Sequence, residues 1–150
     1  MRRFIFFILF ALVPLLTLSG SEGDALKKFK WRAVGPTNMG GRVTDIDGVP
    51  GDPNTYYVSA ADGGVFKTTN NGVTFEALFE DQRTYSVGAL TVAPSDPNVL
   101  WLGTGEGDPR NSVSYGNGVY RSNDGGKTWT HLGLDNTERI KRIVVDPRDP

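Results

Sequence analysis

Past residue 41 the apolar positions come in short bursts, each followed by a cluster of Gly, Asp, Asn or Pro. "RVTDIDGV" (42–49), "VGALTVA" (87–93) and "IKRIVVD" (140–146) are apolar-rich segments. "TYYVSA" and "VLWLGT" follow the first two and carry β-branched and aromatic residues. "GVFKT" and "GVYRS" come third, and "TFEALF" and "TWTHLG", with alternating character, come fourth. No stretch beyond the leader keeps a helical period. The pattern predicts an all-β chain of short antiparallel strands joined by tight turns.

The bursts repeat. "PGDPNTYYVSAADGG" from Pro50 aligns with "PSDPNVLWLGTGEGD" from Pro94, and "PRDP" at Pro147 opens a third copy. The period is about 44 residues, with an insertion of about ten between Gly105 and Gly118. Four strands at that period predict a β-propeller of four-stranded antiparallel blades. The expected units are blade 1 at about 42–79, blade 2 at about 87–133 and a third blade starting at about 140. "KWRAVGP" carries Trp31 where the later copies carry Phe75 and Trp129, so it reads as an orphan outer strand. Residues 31–150 are therefore expected to be an N-terminal propeller fragment, whose partners include the remaining blades of a parent chain. Alone, such a fragment is expected to expose sheet edges and to aggregate, self-assemble or stay partly unfolded.

The leader is a separate matter. Arg2 and Arg3 precede an apolar run from Phe4 to Leu18, with Ser19 and Ser21 spaced like a cleavage site. This reads as a signal peptide over 1–21, followed by a linker over 22–30. It implies export to the periplasm or beyond, with no stable membrane span after cleavage. The chain has 16 Lys+Arg, two of them in the leader, against 17 Asp+Glu. A mildly acidic exported chain is a poor partner for nucleic acid. There is no Cys and one His, His131, expected to be solvated on an outer strand. Zinc and Ser-His-Asp sites therefore lack their parts, and "DIDG" at 45–48 is too short for a calcium loop. No metal or cofactor is expected.

"YRSNDGGKTW" (120–129) contains the end of a phosphate-loop pattern, but Arg121 stands where its first Gly belongs and no helix follows. A hairpin turn accounts for it better. Asp124 would bond amides within the turn, and Gly126 would take a positive φ. Ser122, Asp124, Gly126, Thr128 and Trp129 fit the Asp-box, or bacterial neuraminidase (BNR) repeat, pattern S-x-D-x-G-x-T-W. Thr68, Asn70, Gly72, Thr74 and Phe75 form a degenerate copy. The chain thus resembles the Asp-box propellers of the sortilin-type and xyloglucanase-like kind. The resemblance implies that these turns are structural and lie away from any ligand.

Function is then expected on the opposite loops, at 35–42, 60–64, 80–86, 105–117 and 133–139. Asp62 and Glu106 hold equivalent places in adjacent repeats, ten residues beyond Asp52 and Asp96. Paired carboxylates suit glycoside hydrolysis, so these two are the candidate catalytic residues. Each also has a plain reading: Asp62-Gly63 as a turn, Glu106 as an ion-pair partner of Arg110. Arg42, Arg110, Asn111 and Tyr115 are the candidate ligand-binding groups. "SAADGGVF" resembles the first-blade stretch A-R-T-D-[VI]-G-G of xyloglucanase-like enzymes, though Ser59 and Ala61 depart from it. The resemblance places the second catalytic carboxylate elsewhere, so this chain alone is expected to be inactive. Three functions stay open at this point: an exported module binding a glycan or protein ligand, the N-terminal part of a xyloglucanase-like glycoside hydrolase, and a scaffold.

Overall fold

The computed structural model describes residues 41–150, which lie within one compact unit, Val34–Pro150. Eight strands form in chain order: β1 (Val43–Gly48), β2 (Tyr56–Ala60), β3 (Gly64–Thr68), β4 (Glu76–Ala77), β5 (Val87–Ala93), β6 (Asp96–Thr104), β7 (Val119–Ser122) and β8 (Thr130–His131). They make two antiparallel sheets, ordered β1-β2-β3-β4 and β5-β6-β7-β8. Each sheet is a meander of sequential antiparallel neighbours, joined by Gly- and Asp-rich turns except at β6–β7, where the longer 105–118 loop intervenes. The repeat extends to irregularities. A bulge falls between Val43 and Asp45 in the first sheet, and at the matching place between Val87 and Ala89 in the second.

This corrects the expected fold class. The described residues form two open four-stranded sheets, neither of which curls or closes, and not a β-propeller. Residues 140–146, read as the first strand of a third blade, carry no strand. One bridge, Asp146 to Asp149, is all that forms there. The period of apolar bursts specifies strand register inside a sheet. It does not specify how sheets associate, and the propeller reading had supplied that step by analogy. The orphan strand at 30–36, the signal peptide and the linker lie outside the described residues. Among the described residues no helix is long and apolar enough to cross a membrane.

The core lies between the two sheets. Tyr57, Val65 and Phe79 come from the first repeat; Val87, Leu90, Val92, Leu100, Leu102 and Tyr120 come from the second. Phe79 meets Tyr120 edge-on at 5.1 Å and Trp129 at 5.3 Å. Such T-shaped pairs add about 0.5–1.5 kcal/mol beyond their burial. The Trp129 indole N–H donates to the Leu78 carbonyl at 2.9 Å, and the Tyr57 hydroxyl donates to the Gly125 carbonyl at 3.2 Å. The turn of one repeat is thereby pinned on the sheet of the other.

The facing inner strands are joined by carboxylates. Asp45 accepts from the Leu90 N–H at 3.1 Å and Asp47 from the Val92 N–H at 2.8 Å. Each also accepts from the next residue of its own strand, Ile46 and Gly48. Strand-edge amides that would otherwise lack partners are satisfied this way. On the second sheet, Arg121 lies over Trp101 as Lys67 lies over Tyr57, each at 5.1 Å. The buried Trp101 indole N–H has no partner there.

Candidate functional site

The turn from Ser122 to Trp129 is a closed hydrogen-bond network. The Ser122 hydroxyl donates to Asp124 at 2.8 Å and accepts from the Gly126 N–H at 2.9 Å. Asp124 accepts from the Thr128 N–H at 2.9 Å and from its hydroxyl at 2.6 Å. Gly125 and Gly126 take φ of 70° and 90°, where a side chain is strained. Thr68, Asn70, Gly72 and Thr74 repeat the network with a neutral centre. Asn70 accepts from the Thr74 N–H at 2.9 Å, and Thr68 accepts from the Gly72 N–H at 2.9 Å. Phe75 stands in the place of Trp129 and meets Tyr56 edge-on at 6.1 Å.

The hydrogen bonds from Thr128 hold the Asp124 carboxyl at about 2, below its ordinary 3.8. A carboxyl whose folded value is depressed stabilises the fold above its unfolded value, and that contribution is lost as pH falls through the folded one. Stability should therefore drop as pH falls from about 4 to about 2. Asp124→Asn should keep the turn, on the precedent of Asn70, and flatten that drop. Asp52, Asp108 and Asp146 are also held low by hydrogen bonds, so a smaller slope should remain. Thermal melts of both proteins across this range check it. Identical slopes would show that Asp124 is not the group responsible.

The loops at the other end of the strands converge through backbone bonds. Ala61 N–H donates to the Arg42 carbonyl at 2.9 Å and Gly64 N–H to the Tyr85 carbonyl at 2.8 Å. Gly105 N–H reaches the Ser86 carbonyl at 2.9 Å, and Gly116 N–H the Glu138 carbonyl at 2.8 Å. The Ser86 hydroxyl donates to the Ser114 carbonyl at 3.1 Å. The loops at 60–64, 80–86, 105–117 and 133–139 thus form one surface.

Glu106 is the charged group at its centre. It is 1% exposed, and its Oε1 is contacted by Arg42 Nη2 and lies 3.9 Å from Arg110 Nη1. Burying a carboxylate is tolerated only with such partners. Arg42 therefore ties the repeats together: its carbonyl holds the turn that bears Asp62, and its guanidinium holds Glu106. Asp62 itself is exposed, at the tip of the β2–β3 turn and beside Gly41. Asn111 is exposed as well. Tyr115 is 59% exposed, with the Arg139 guanidinium 5.1 Å from its ring centre. Asp108 pairs with Lys141 at 2.6 Å, and that hydrogen bond holds its carboxyl low. A cavity of about 230 Å³ opens between Glu106, Asp108, Arg110, Val113 and Arg139. Sequence reasoning missed Arg139 and Lys141 as site residues. The first lies in a loop already singled out; the second lies within the inner segment at 140–146, where only packing was sought. His131 lies exposed on the outer strand β8, as expected, with its Nε2 2.7 Å from the Asn117 carbonyl and its ring 4.7 Å from that of Tyr120. Among the described residues no group of three or more His, Asp or Glu side chains is placed to hold a metal ion.

No family model matches the chain. It is 31% identical over 97 residues to a xyloglucanase of Hypocrea jecorina (strain QM6a), a match covering 61% of this chain and 10% of that protein. The chain thus spans about a tenth of the length of that curated relative. Among solved structures it is similar to an ancestral GH74 enzyme, with a TM-score of 0.53 and 22% identity, covering 65% of this chain and 13% of the other. The GH74 enzyme of Niastella koreensis gives a TM-score of 0.51 and 22% identity, covering 67% and 15%. These likenesses show a distant xyloglucanase-like, β-rich relationship and a shared fold over that segment. They lend nothing to the Asp-box, BNR or sortilin-type identity expected from the turn motif. With the sheets open, that expectation is corrected along with the propeller.

Proposed function

We propose that the chain is a carbohydrate-active, GH74-like β-sheet domain that presents its converged loops to a glycan. The observation that carries this is the Arg42 bridge. It links the Asp62 turn to Glu106, beside an exposed tyrosine and several arginines. Asp62 is the accessible carboxylate and takes the acid–base role. Glu106, sealed against Arg42, is a positioning residue that fixes the guanidinium. Glycoside hydrolysis needs two carboxyl groups flanking the bond, roughly 5–10 Å apart. With Glu106 so engaged, the chain on its own binds glycan without cleaving it.

Titration of the whole chain with xyloglucan oligosaccharides, followed by calorimetry and by product analysis, tests this. Binding without new reducing ends is expected. Release of reducing ends by the chain alone would overturn the division of roles between Asp62 and Glu106. Failure to bind any glycan in a broad panel would overturn the carbohydrate reading.

A further inference from the structure

The 230 Å³ cavity is lined by two carboxylates and two guanidiniums, but each carboxylate is paired with a further cation from outside the lining. Two carboxylates, Glu106 and Asp108, line it, and no other acidic residue does. Both are already engaged, Glu106 by Arg42 and Asp108 by Lys141. Arg110 and Arg139 also line the cavity. Arg110 stands 3.9 Å from a Glu106 oxygen that Arg42 already holds, and its side chain is 44% exposed. Arg139 has no carboxylate partner among the described residues and rests on the Tyr115 ring. Two guanidiniums therefore face the cavity with donors to spare, beside an aromatic ring that is itself 59% exposed. Guanidinium presents a planar fork of N–H groups that matches a carboxylate. An aromatic face suits a sugar ring, which is apolar on one side and wet at its rim.

Resting on the glycan reading above, we propose that this cavity is a subsite for a carboxylate-bearing sugar, a uronic acid residue within a polysaccharide. Arg110 and Arg139 take the carboxylate, and Tyr115 takes the ring. A neutral sugar would leave the two guanidiniums desolvated against nothing, so the site discriminates by charge as well as by shape.

The test compares three probes on the whole chain by calorimetry: trigalacturonate, its fully methyl-esterified form and a neutral xyloglucan oligosaccharide. Trigalacturonate should bind at least about tenfold more tightly than its ester, and its affinity should fall with salt. Arg139→Gln should abolish that preference while the ester's affinity stays within about twofold. Arg139→Lys should restore it only in part, since a lysine cannot bind bidentately. Arg110→Gln offers a second removal of the same charge, and circular dichroism shows whether each variant is folded. Equal affinity for acid and ester overturns the proposal. Binding of the neutral oligosaccharide alone also overturns it but leaves the glycan reading intact; no binding by any of the three probes overturns it too, and the glycan reading falls with it only if the broad panel also fails.

Discussion

Phe79→Ala should lower the stability of the fold by about 3–5 kcal/mol, the largest loss expected from any single truncation here. Phe79 is 1% exposed and follows the last strand of the first sheet, yet its ring packs on Tyr120 and Trp129 of the second repeat. The surroundings are poorly placed to collapse into the gap. Tyr120 is fixed by Asn117 at 2.8 Å, and Trp129 is fixed by the Leu78 carbonyl at 2.9 Å. Truncation therefore leaves a cavity between the sheets and removes two edge-to-face contacts. A melt monitored by Trp fluorescence reads both stability and the Trp129 environment. Val73→Ala is the comparison, since Val73 is 80% exposed and should change stability by less than about 0.5 kcal/mol. A Phe79→Ala loss no larger than that of Val73→Ala would mean that the two sheets are not held by this cluster.

That cluster shows what the residues disclosed and what they withheld. Strand order within each repeat was legible, because apolar bursts and turn residues alternate at a fixed period. The turn from Ser122 to Trp129 was legible down to the role of Asp124. How the sheets meet was not. Asp45 and Asp47 reach the Leu90 and Val92 amides, about 45 positions along the chain, and short-range pattern carries no trace of such a pairing. Closure into a propeller was inferred from the repeat rather than from any contact, and the open sheets do not support it. The site was half legible. Two carboxylates at equivalent places in adjacent repeats stood out. Their opposite burial did not, because it depends on Arg42 folding back onto Glu106. The roles of Arg139 and Lys141 depend on which loops converge, and that follows from backbone bonds between segments far apart in sequence.

Those backbone bonds set the second large effect, at Gly105. Its φ is +87°, its N–H donates to the Ser86 carbonyl at 2.9 Å, and it immediately precedes Glu106. A Cβ added there would collide with the Glu138 carbonyl and crowd the Gly116 N–H, the two ends of the bond that joins the 105–117 and 133–139 loops. Neither group is a flexible side chain, so the clash must be relieved by moving backbone. Gly105→Ala should therefore lose about 1–2 kcal/mol from the left-handed conformation and about 1–3 kcal/mol more from the displaced backbone. Gly48→Ala supplies the contrast: Gly48 has an ordinary φ and open space around it, and the change should be within about 0.5 kcal/mol. Shifting residue 105 also shifts Glu106 from under Arg42, so glycan affinity should fall further than the loss of stability explains. Measuring affinity well below the melting temperature of the variant separates the two. A Gly105→Ala protein that melts like the parent would mean that the loops are not locked by this contact. One that melts early but binds glycan normally would mean that the Arg42–Glu106 pair does not position the site.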